Sequence, residues 1–245
     1  MKLSTIIGFI LGFTIIGIVI FSKEDVHFYL SIPSLAITLG GTIAAVLIYF
    51  SPGALKYGLS AVVRIFTDRQ QDPRDVLDLL VDINKRSRKT TYSTILKSVA
   101  VRKIPYLVKA LTFLADGVER KQIEDILHRE NRSRTEKDRI AERVFSIAGS
   151  FAPMFGMMGT VIGLIAMLNR VENPDEIPAA MGLALVTTLY GLVFSALIFK
   201  PLAGKIRDKN NIDTNVRDII IEGVLSIQEG ENAQITKEKL LGYVK

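Results

Sequence analysis

A small set of hydroxyl side chains stands inside long apolar runs of this 245-residue chain, where each must either find a partner or serve one. Thr160 lies in the run Val144–Leu168, and Thr187, Thr188, Tyr190 and Ser195 lie in Ile177–Phe199. Thr38 and Thr42 lie in Phe28–Phe50. A hydroxyl oxygen can ligate a cation or order water, although it can equally back-bond to its own helix. Thr160 and Thr187 or Thr188 fall at similar depth in two runs joined by eight residues, and that clustering points to the wall of an ion path. The only metal such a wall admits is a transient Na+ at Thr160 and Thr187. The group that usually replaces an ion's water inside a bilayer is a carboxylate, and none of the apolar runs has one. The chain therefore supplies half of a site, and a foreign helix has to bring the acid.

The elements that position these hydroxyls are four runs without Asp, Glu, Lys or Arg: Leu3–Phe21, Phe28–Phe50, Val144–Leu168 and Ile177–Phe199. A helix of about 20 residues crosses a hydrocarbon core of about 30 Å. The pattern predicts an all-α membrane protein with four transmembrane helices. The first run is too long for the core of a signal peptide and leads straight into the second. Pro153 frees a backbone carbonyl one turn earlier and can bend the third span. Gly156, Gly159 and Gly163 clear one side of that span, so another helix can approach closely. Gly40 and Gly41 offer a packing position in the middle of the second span.

Charge sets the topology. The linkers Ser22–His27 and Asn169–Glu176 carry one basic residue each, whereas Ser51–Arg143 carries 20 Lys/Arg against 13 Asp/Glu. Lys56, Arg64, Arg139, Arg143, Lys200, Lys205 and Arg207 flank helix ends, which places both termini and the large loop in the cytoplasm. The net charge of +6 is thus a matter of topology; basic residues are spread among acids without interleaved aromatics, so no nucleic-acid partner is indicated. The absence of cysteine fits a cytoplasmic exposed part. His27 and His128 are the only histidines, neither lies in a span, and no nucleotide loop or nucleophile motif occurs, so an enzyme is not expected.

Residues 1–50 hold spans one and two, 51–143 a helical cytoplasmic domain, 144–200 the transmembrane hairpin and 201–245 a cytoplasmic helical tail. Within the loop, Asp72 caps a helix opened by Pro73, with Val76, Leu79, Leu80 and Ile83 as its buried stripe. Asp75, Asp78 and Asp82 form its solvated face. Lys85–Lys103 contains seven basic residues and no acid, a surface suited to an acidic partner or to anionic headgroups. Arg120–Glu130 is a further helix. Ser133-x-x-Glu136 has the spacing of a capping box and starts a charged helix, Arg134–Arg143, that runs on into the third span.

The stretches APMFGMMGTVIGLIAML and ALVTTLYGLVFSALIFKPLAGKI, with PSLAITLGGT in the second span, resemble the MotA/PomA stator subunits of the bacterial flagellar motor. The likeness covers nearly the whole chain. It implies an ion-driven torque generator of the bacterial inner membrane: about five such chains around two copies of a MotB/PomB-like single-span partner whose Asp carries H+ or Na+. That transported ion would be the only cofactor. Pro153 and Pro201 match prolines of the family that couple ion flow to shape change, and Thr160, Thr187 and Thr188 match threonines beside the partner's Asp. Arg86, Arg88, Lys89 and Lys97 fall where the family's loop meets a FliG-like rotor protein. That loop usually also carries acids, and Tyr92–Lys103 has none. Rotor pairing here must differ in its charges, or the motor drives something other than a flagellum. A passive membrane scaffold is the reading from another class.

Overall fold

The computed structural model describes residues 2–22, 29–67, 70–169 and 177–244; the polar linkers read as outward-facing lie largely outside them. Every element among these residues is helical. In chain order they are α1 (Lys2–Phe21), α2 (Ile32–Tyr49), α3 (Pro52–Thr67), α4 (Pro73–Ser87), α5 (Tyr92–Leu96), α6 (Val99–Arg102), α7 (Pro105–Ala115), α8 (Arg120–Leu168), α9 (Ile177–Gln228) and α10 (Ala233–Leu241). Three are long and apolar enough to cross a membrane: α2, α8 and α9. The described apolar part of α1, Ile6–Phe21, is shorter. Ile6, Ile10, Phe13, Val19 and Phe21 of α1 are all exposed, the pattern of a helix that is apolar all round and made for lipid.

The chain packs as two units, Met1–Thr67 with Asp138–Arg207, and Asp68–Lys137 with Asp208–Lys245. These packing limits lie beyond the ends of the apolar runs, because α3 and the charged turns of α8 and α9 pack with the apolar helices. Ala61 and Ile65 of α3, Ala141 and Phe145 of α8 and Ile206 of α9 form one small cluster. Arg64 closes it with an ion pair to Asp138 at 2.8 Å.

The second unit has the larger core. Val76, Leu80 and Ile83 of α4 meet Leu107 and Leu111 of α7, Ile123 and Leu127 of α8, Ile220 and Val224 of α9 and Leu240 of α10. Gly223 lets α9 close on the Leu80 side chain; a Cβ there would stand 2.8 Å from it. Asp72 caps α4 through the Arg74 amide as read from the sequence, with Pro73 in the first turn. Asn131 links two polar side chains of this unit. Arg217 Nε donates to Asn131 Oδ1 at 2.7 Å, and Asn131 Nδ2 donates to Asp218 Oδ1 at 2.6 Å. Burial pushes the Asp218 carboxyl up against the opposing pull of that bond and of the charges on His128 and Arg217. Tyr106, pushed up chiefly by burial, donates to Leu127 O at 2.7 Å.

One expectation fails here. Ser133 does not cap a new helix; it is an exposed position inside α8, which runs unbroken from Arg120 to Leu168. No Gly or Pro interrupts residues 120–148, and Arg134 bridges the expected break by pairing with Glu130 at 2.7 Å. A capping-box spacing carries weight only where the preceding residues stop a helix, and these do not.

Candidate functional site

The hairpin of α8 and α9 is held by two facing rows of small residues. Ala152, Gly156, Gly159 and Gly163 of α8 lie against Gly191, Thr187, Ala184 and Ala180 of α9. A Cβ on Gly156 would stand 3.1 Å from Thr187 O; one on Gly163 would stand 2.7 Å from Ala184 Cβ; one on Gly191 would stand 2.6 Å from Ala152 O. The helices thus touch nearly backbone to backbone, which only such residues permit. The close approach expected at these glycines is made by the chain's own fourth apolar run. The face of α8 left open is instead apolar, with Met154, Met157, Met158, Val161 and Ile162 lining a shallow groove. The midspan glycines of α2 differ from each other. A Cβ on Gly41 would overlap the Phe155 ring of α8, whereas Gly40 has open space.

At the edge of this interface Thr160 Oγ1 and Thr188 Oγ1 lie 2.5 Å apart. Gly156 O is 3.1 Å from Thr160 Oγ1 and 3.4 Å from Thr188 Oγ1, and Ala184 O is 3.5 Å from each. Two hydroxyls and two carbonyls therefore gather four neutral oxygens, the donor type a hard cation accepts. Both threonines are half-buried, unlike their neighbours Gly159 and Thr187. Thr187 does not join them. It is wholly buried, its side chain packs on Gly159, and its hydroxyl donates to Ala184 O at 2.8 Å. Of the two threonines placed at the depth of Thr160, it is Thr188 that meets it, since successive residues on a helix point about 100° apart.

The two prolines lie beyond this pair. Pro153 sits inside α8, where its missing N–H leaves Gly149 O without its usual donor. Ser195 of α9 donates to that carbonyl at 2.5 Å. Pro201 follows a π-helical stretch, Phe194–Phe199, whose wider turns move the carbonyls the ring would strike. Sequence reading named Ser195 only as a polar residue. The signal that would have found it is simple: it is the sole hydroxyl in Gly191–Phe199, facing a helix with an internal proline. Tyr190 was overlooked in the same way; its hydroxyl donates to Tyr29 O at 2.5 Å and accepts from Ser31 N–H at 3.3 Å, pinning the entry of α2.

The basic loop residues divide. Arg88 is engaged internally: its guanidinium donates to Gly230 O at 2.9 Å and Glu231 O at 2.8 Å, closing the turn between α9 and α10. Arg88 therefore has a structural role of its own while standing exposed on the basic loop. Arg86 pairs with Asp82 at 2.8 Å. Lys89 and Lys97, with Arg102 and Lys103, are exposed and have no carboxylate partner among the described residues.

Helical throughout its described residues, with two apolar runs free of charged side chains that gather a cluster of neutral oxygens, the chain has the make-up of a membrane channel subunit. The chain belongs to the MotA/TolQ/ExbB proton channel family, whose profile matches residues 89–218. It is 32% identical to the protein YtxD of Bacillus subtilis over 98% of this chain and 89% of that one. It is 29% identical to the chemotaxis protein PomA of Vibrio alginolyticus over 100% and 96%. Its fold superposes on the flagellar MotAB stator complex from Bacillus subtilis with a TM-score of 0.83, at 29% identity, covering 98% of this chain and 95% of that one.

Proposed function

We propose that this chain is the ion-conducting stator subunit of a flagellar motor, which surrounds a MotB/PomB-like single-span partner and turns H+ or Na+ flow into torque. The observation that carries the reading is the Thr160–Thr188 pair in a wall with no carboxylate of its own. Neutral oxygens lower the cost of an ion's lost water but do not neutralise its charge, so the partner's Asp completes the site. All four apolar runs span the bacterial inner membrane, with both termini and the basic unit in the cytoplasm. Five copies around two partner copies is the assembly that the family resemblance supports. A FliG-like rotor is met through the basic loop at Arg86, Arg88, Lys89 and Lys97.

The test is a deletion strain that lacks any other stator gene. Loss of swimming, restored by this chain together with a partner bearing a single-span Asp, is the expected result. Undiminished swimming in the deletion would overturn the flagellar role. One observation favours a second reading, an ion-driven motor for a non-flagellar process: the exposed face at Tyr92–Lys103 is of one sign throughout. Ion uptake by the reconstituted complex with normal motility in the deletion would select it, and Asp-independent behaviour would leave only a scaffold.

A further inference from the structure

Two prolines interrupt the paired helices, and the chain accommodates them differently. Before Pro201 the helix widens, and the Lys200 N–H reaches back to Ser195 O. At Pro153 the helix stays α-helical, so the carbonyl of Gly149, four residues earlier, has lost its amide donor. Gly149 is buried, and a buried carbonyl without a donor is costly. The donor that meets it comes from the other helix, through Ser195 Oγ at 2.5 Å. Nearby, Lys200 lays its stem over Gly149 and donates to Ser150 Oγ at 3.2 Å.

We propose that Ser195 is a positioning residue that ties the two proline sites together. Its hydroxyl replaces the amide that Pro153 removes, and its carbonyl takes the amide that closes the wide turn before Pro201. One residue therefore serves both breaks. A change of angle at Pro153 must stretch or release the Ser195 hydroxyl, which is part of the turn leading to Pro201. The coupling runs beside the threonine pair without using it, so Ser195 has no part in holding the ion. Its importance for torque rests on the stator reading above; its hydrogen-bond role does not.

The chain purified with its partner subunit gives the test, a double-mutant cycle on the midpoint of thermal unfolding. Ser195→Ala lowers that midpoint by about 2–4 °C. Pro153→Ala returns an amide to Gly149 O, so in that background Ser195→Ala shifts the midpoint by less than about 1 °C. Ser195→Thr, which keeps the donor, stays near the natural chain. An equal cost of Ser195→Ala in both backgrounds reduces the residue to ordinary packing and overturns the proposal. Should Ser195→Ala fail to assemble, recovery of assembly on adding Pro153→Ala supports the tie, and no recovery overturns it. In cells, Ser195→Ala slows rotation at least about twofold, and Ser195→Thr restores it. An intact cycle with unaltered rotation would leave the hydrogen bond standing and count against the motor reading.

Discussion

Thr188 Oγ1 lies 2.5 Å from Thr160 Oγ1 across the hairpin, while Thr187, its neighbour in sequence, is turned wholly into the helix interface. The two adjacent threonines therefore have different work. Thr188→Val keeps the shape and removes the oxygen, and is expected to slow ion-driven swimming about tenfold, the size of one lost charge-assisted contact. Thr187→Val keeps the packing on Gly159 and loses the buried bond to Ala184 O, a stability cost of about 1 kcal/mol, but should leave swimming within about twofold. Swimming speed measured against ion concentration in the two strains separates them; equal losses would dissolve the assignment.

Gly40 and Gly41 give a second pair of opposites. Gly40→Ala enters open space in a helix and should change stability by no more than about 0.5 kcal/mol. Gly41→Ala collides with the Phe155 ring and should cost about 1–3 kcal/mol through overpacking. Thermal unfolding of the purified complex reads both, and a smaller side chain at 155, as in Phe155→Leu, should recover part of the Gly41→Ala loss.

The basic loop divides in the same manner. Arg88→Ala removes the donors to Gly230 O and Glu231 O, so the turn before α10 should exchange its amide hydrogens faster, at a stability cost of about 1 kcal/mol. Lys97→Glu, at an exposed site, should leave that exchange unchanged and weaken docking of the cytoplasmic partner. Hydrogen exchange and motility, measured on the same two variants, should give opposite rankings.

Glu130 fixes a pH dependence. Burial raises its carboxyl, but the bonds from Lys109 and Arg134 outweigh burial and hold it below the ordinary glutamate value of 4.5. A carboxyl lowered on folding contributes stability that is complete above its unfolded value and is lost as pH falls through its folded one. Glu130→Gln should therefore cost about 0.5–1 kcal/mol at pH 7, since the partners are half-exposed, and progressively less below about pH 4.5. Denaturation at the two pH values measures the difference; a cost that persists in acid would mean shape, not charge.

Much of this was legible in the residues, and the exceptions share a cause. Charge-free runs define apolar helices by length alone, and Asp72-Pro73 starts α4 because capping is local chemistry. Ser133 misled because a start signal has force only after a stop, and residues 120–148 contain none. Thr188 could not be told from Thr187 without the rotation of α9 about its axis, which is fixed by the fit of Gly156, Gly159 and Gly163 against it. Ser195 and Arg88 act on carbonyls distant in sequence, at Gly149 and at Gly230, and no local pattern announces such a partner.

The charge-free wall has a further consequence for the cell. On the stator reading proposed above, two apolar runs without a carboxylate of their own form an insulator until the partner's acid arrives. On that same reading the chain can be made, inserted and stored in an energised membrane without short-circuiting it. Leak then depends on delivery of the second subunit, so the supply of that subunit, and not of this chain, sets when the gradient begins to be spent.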